Sequence, residues 1–155
     1  MSSTRVSLPA DRGMPAAEYI QYGRRGFPVR YDEIVDRVRA GGGPVNKVEA
    51  EALVQSVAAV LGQRLTGAQA GRLADHLPEE LRRSLIEADQ GQRFGAVEFL
   101  GRVAQREAMG RTGEQLRVHV RAVFGVLAEA VSTGEFEEVL DQLPADYEQL
   151  VSVAG

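Results

Sequence analysis

The chain has 155 residues, 44% hydrophobic and 26% charged, with a net charge of −4. That is the size and composition of a soluble domain with a core of its own. It has no cysteine, which excludes disulfides, thiolate-held metals, iron–sulfur clusters and a cysteine nucleophile. The charge is uneven. Residues 1–30 carry five arginines against two acids, residues 31–90 seven basic against ten acidic groups, and residues 96–155 five against ten. An acidic body lacks the clustered positive charge that duplex nucleic acid requires.

Residues 1–26 contain Pro9, Pro15, Gly13, Gly23 and Gly26 and read as an irregular leader. The early breaks argue against a secretory signal, and the most apolar stretch, Val57 to Leu61, is too short to cross a membrane. A cytoplasmic protein is expected. Helical periodicity begins with Tyr31, Ile34, Val35 and Val38 and stops at Gly41-Gly42-Gly43-Pro44. Asn46 and Glu49 have the spacing of a capping box, after which Leu53, Val57, Val60 and Leu61 line one face of a longer helix. Thr66 and Gln69 cap a short helix carrying Ala70, Leu73, Ala74 and Leu77. Pro78 opens the next helix, with Glu79 and Glu80 at its positive end and Leu81 and Leu85 inward.

The second half repeats this programme. Phe99, Leu100 and Val103 form a stripe, Gly110 and Gly113 break it, and Leu116, Val120, Val123, Phe124 and Leu127 supply a long apolar face. Ser132 and Glu135 are spaced as a capping box before Phe136, Val139, Leu140 and Leu143; Pro144 opens the last helix, with Tyr147, Leu150 and Val151 inward. Val57 corresponds to Val123, Leu61 to Leu127 and Thr66 to Ser132 at an offset of 66 residues. Asp75-His76-Leu77-Pro78 corresponds to Asp141-Gln142-Leu143-Pro144. The expected fold class is all-α: two tandem similar four-helix lobes, residues 31–90 and 91–155, packed into one body of about eight helices behind a basic extension, residues 1–30.

These runs, above all Phe99-Leu100-Gly101-Arg102-Val103-Ala104, Arg121-Ala122-Val123-Phe124-Gly125-Val126-Leu127 and Asp141-Gln142-Leu143-Pro144-Ala145-Asp146-Tyr147, resemble the bacterial family known as domain of unknown function 2267. The likeness covers roughly residues 31–152. It implies an all-helical fold and brings no established catalytic residues with it. The basic leader and the Gly41-Gly42-Gly43-Pro44 turn depart from the family's usual pattern.

Neither histidine reads as a catalyst or ligand. His119 sits at the edge of an apolar face, where a hydrogen-bonded imidazole is expected, and His76 precedes a helix junction; no HxxxH or HExxH spacing exists. Glu135, Glu137, Glu138 and Asp141 cluster near a helix start, which negative charge favours without further purpose. No serine lies in Gly-x-Ser-x-Gly, and the glycine run at 41–43 lacks the Gly-Lys-Ser/Thr of a phosphate loop. No catalytic, cofactor-binding or metal-binding residues are therefore assigned. The leader combines Tyr19, Tyr22, Arg24, Arg25, Phe27 and Arg30, residue types favoured at protein interfaces; that reading is preferred to a stacking surface for single-stranded nucleic acid. These six are the candidate interaction residues. The sequence is expected to encode a non-enzymatic interaction or structural module that binds a protein partner or itself. The alternative is a ligand-binding regulator or enzyme with a polar pocket between the lobes.

Overall fold

The computed structural model describes residues 30–151 apart from Thr112 and Ser132, and only the backbone of residues 133–135. The leader anchors Tyr19, Tyr22, Arg24, Arg25 and Phe27 and the Ser132–Glu135 capping box lie outside the described residues. The fold is all-α: α1 (Tyr31–Ala40), α2 (Lys47–Arg64), α3 (Gly67–Ala74), α4 (Glu79–Glu87), α5 (Ala96–Glu107), α6 (Gly113–Ala130) and α7 (Thr133–Asp141), then a 3-10 helix, Ala145–Leu150.

Local chemistry fixes most boundaries. Asn46 accepts the Glu49 amide at 3.0 Å and caps α2. Thr66 and Gln69 complete a full capping box, each side chain accepting the other's amide. The α1–α2 turn requires glycine: Gly42 has φ +110°, and a Cβ on Gly43 would lie 2.5 Å from Val38 Cγ1. Pro78 stands as N-cap immediately before α4, where a missing amide costs nothing.

Two expectations are corrected by packing. The long first-half helix has no single apolar face, because every residue from Ser56 to Gly62 is buried. The cause is position: α2 packs against α1, α3, α4, α5 and α6 and is enclosed by them. At Gly62 the approach of α4 is so close that a Cβ would lie 2.5 Å from the Leu85 carbonyl oxygen. The segment after Pro144 is a 3-10 helix rather than a second copy of α4. Its inward residues, Tyr147 and Leu150, are three apart, and a three-residue turn brings that spacing onto one side.

The helices of both halves share one hydrophobic cluster, running from Ile34 on α1 to Leu150. α1 packs on α2 and α6, α5 packs on α6 and α2, and α2 and α6 touch directly. In the second half, Phe99 meets the rings of Phe124 and Tyr147 edge-on, both at 5.7 Å, and Phe124 meets Phe136 at 6.0 Å. Such edge-to-face pairs add to simple burial. Leu127, 2% exposed on α6, tests the register of that helix: truncation to alanine is expected to cost about 2–5 kcal/mol. A loss below about 1 kcal/mol in a urea melt would place its inward face wrongly.

Candidate functional site

Two polar assemblies stand out where the halves meet. The first is a staple around Phe94, in the connection between α4 and α5. That connection runs back along α2: the Gly91 amide donates to Leu65 O and the Gln92 amide to Gln63 O, both at 2.8 Å. The Phe94 carbonyl then accepts from Arg64 Nε at 3.0 Å and from the Tyr147 hydroxyl at 2.8 Å. Arg102 lies 3.9 Å above the Phe94 ring and donates to Gln63, Gln92 and Glu98. Asp146 caps α5 from fifty residues away, accepting the Ala96 amide at 2.9 Å. α2, the connection, α5 and the terminal helix are thus tied at one point.

Burial pushes the Tyr147 phenol up to about 12, with Arg64 opposing. It therefore remains a neutral hydrogen-bond donor, serving architecture rather than proton transfer. Tyr147→Phe is expected to cost about 0.5–1.5 kcal/mol, the net value of one hydrogen bond, because Arg64 still satisfies the Phe94 carbonyl. An unchanged thermal midpoint would remove the phenol from the staple.

The second assembly was not foreseen from sequence. Glu107 ends α5, is followed by Ala108 in the left-handed region (φ 54°), and has a side chain only 1% exposed. Arg111 Nε lies 3.6 Å from Glu107 Oε2, while its Nη2 donates to Glu49 Oε1 on α2 at 3.0 Å. Glu107 Oε1, Arg111 Nε and His119 Nδ1 are buried without a hydrogen-bond partner among the described residues. Burial pushes the Glu107 carboxyl above its ordinary 4.5; Arg111 opposes this and Glu49 adds to it. Burial also pushes His119 below 6.5, helped by Arg111 and opposed by Glu49.

At Nδ1, His119 lacks the hydrogen-bond partner expected among the described residues, and its nearby charges are the Arg111 guanidinium and the Glu49 carboxylate. The sequence did contain a signal for this cluster. Phe99, Val103, Glu107 and Arg111 recur every four residues, so an acid continues an apolar stripe.

The other expected residues are separate from these assemblies. His76 is half-buried at the α3–α4 junction. Glu137 and Asp141 are exposed on α7, and Glu138 pairs with Arg72 across α3 and α7 at 3.5 Å. Of the candidate interaction residues, Arg30 is described: it is the exposed N-cap of α1, its carbonyl accepting the Ile34 amide. Beside it, the Tyr31 hydroxyl accepts from Gln55 at 2.8 Å. Burial raises its pKa, with Glu51, Glu80 and Asp32 adding to the rise. The leader thus joins the body at an acidic corner. Among the described residues no three His, Asp or Glu converge as metal ligands, and no helix is long and apolar enough to cross a membrane.

These features define an all-helical body whose internal polar groups join its helices. The chain belongs to the DUF2267 family of uncharacterised conserved proteins, whose pattern matches residues 31–150. Comparison with curated proteins finds no match.

Proposed function

We propose that this protein is a non-enzymatic helical interaction module, working in the cytoplasm and binding a protein partner or a second copy of itself through its basic aromatic leader. The observation that carries this reading is the composition of residues 19–30. They hold Tyr19, Tyr22, Phe27 and three arginines, with no acid, and run directly into α1. Aromatic and arginine side chains concentrate binding energy at interfaces. The preferred partner surface is acidic with apolar relief. Affinity capture from the native cell, with the full chain and a version lacking residues 1–30, tests it. The partner is expected with the first and not the second, and equal recovery would refute the role of the leader.

The body in this reading is a duplicated four-helix unit. Support comes from reciprocal packing: α1 with α2 corresponds to α5 with α6, and α2 with α5 corresponds to α6 with α1. Failure of residues 31–88 to superpose on 96–152 in helix order would overturn the duplication. A small-ligand regulator is the second reading, favoured by the buried polar atoms of Glu107 on α5 and His119 on α6, which lack partners among the described residues. A small polar molecule that raises the thermal midpoint of the protein, and loses that effect in Glu107→Gln, would favour it over the first.

A further inference from the structure

The acidic charge of this chain is concentrated at one end. After Arg121 the sequence contains seven acids and no lysine, arginine or histidine. The fold gathers part of this charge around a groove of about 410 Å³ between α7 and the terminal 3-10 helix. Its floor is apolar, with Leu140 and Val151 half-buried and Leu143 nearly closed off. Its rim is Glu137, Asp141 and Glu148, all exposed and without ion pairs among the described residues. A half-open apolar floor under an uncompensated rim of three negative charges suits a peptide that brings both apolar side chains and cations.

The chain carries such a peptide. Residues 19–30 contain three arginines and no acid, interleaved with Tyr19, Ile20, Tyr22, Phe27 and Val29. The charge of this segment is opposite in sign to the rim, and its aromatic side chains suit a leucine–valine floor. The eleven steps from Arg30 back to Tyr19 extend at most about 36–40 Å, against a body roughly 35 Å wide for its size, so the far end of the segment can reach any face of the body while Arg30 stays at α1.

We infer that residues 19–27 dock in the groove between α7 and the terminal helix of their own chain. This rests on the reading of the leader as the recognition element and extends it. A leader selective for acidic, apolar-floored surfaces is held by the one its own body provides, and a partner must displace it. The aromatic side chains fill the groove, Arg24 and Arg25 set direction along the rim, and Arg30 stays at the start of α1. Exposed charge pairs are screened by salt, so the contact loosens as ionic strength rises.

The test is amide hydrogen exchange on the full chain. Amides from Tyr19 to Phe27 are expected to exchange about tenfold or more slowly than those of residues 2–8. In the variant E137Q/D141N/E148Q that protection is expected to disappear, while α2 and α6 stay protected. Equal rates for the two leader segments in the unmodified protein, or leader protection unchanged in the groove variant, would overturn the inference. Protection that vanishes on dilution would also overturn it, assigning the groove to the leader of a second copy. If the groove variant unfolds, R24E/R25E in an unmodified body reads the same contact and must likewise lose protection. Partner capture by the leader is measured separately, so loss of this docking leaves the interaction reading standing or falling on its own experiment.

Discussion

Arg111→Met is expected to lower stability by about 3–5 kcal/mol, the cost of leaving a buried ion without its partner. Glu107, 1% exposed at its side chain, has Arg111 as its nearby cation, and Arg111 also holds Glu49 across to α2. Removing the guanidinium strands a carboxylate at the negative end of α5. Adding Glu107→Gln to the same protein is expected to recover much of the loss, because the stranded charge is gone. Urea melts of the two single variants and the double variant measure this coupling. Additive losses would mean that the two side chains act independently.

The same group sets a pH dependence. The folded state holds the Glu107 proton more tightly than the unfolded chain, because its pKa is raised from 4.5. Its contribution is complete below that ordinary value and is lost as pH rises through the folded one. Glu107→Gln removes this loss, so its advantage over the unmodified protein should widen as pH increases from 4 to 8. Parallel stability profiles would contradict the assignment.

Phe99→Ala is expected to be comparably damaging, about 3–5 kcal/mol. The ring is fully buried and contacts Phe94, Phe124 and Tyr147. Truncation both opens a cavity and removes the surface against which the terminal helix packs through Tyr147. Guanidinium unfolding followed by helical circular dichroism measures it, and a cost under about 1.5 kcal/mol would show that α6 and the terminal helix close the space unaided.

Local chemistry was legible in the sequence. The Thr66–Gln69 box, the Gly41–Pro44 stop and the inward side chains of α1, α4 and α6 depend on near neighbours in the chain, and each stands where periodicity and capping rules put it. Features set by distant partners were not legible. The all-round burial of α2 depends on α5 and α6 arriving from the other half, and Asp146 caps α5 across fifty residues. The Glu107–Arg111–Glu49 cluster joins three segments, and its sequence trace, an acid continuing an apolar stripe, takes on meaning only once α2 is placed beside it. The candidate interaction residues illustrate the same division: their residue types stand out in the sequence, whereas the groove proposed to receive them is assembled from α7 and the chain beyond it.

The enclosure of α2 has a consequence for the newly made chain. Helices α1 to α4 leave the ribosome while the flank of α2 that α5 and α6 will cover is still bare. Translation of roughly 60 further residues takes about 3–12 s at the usual ~5–20 residues per second. Throughout that interval the nascent first half displays core surface to its surroundings. Transiently exposed apolar surface of this kind is prone to aggregate, which is the hazard that chaperones meet.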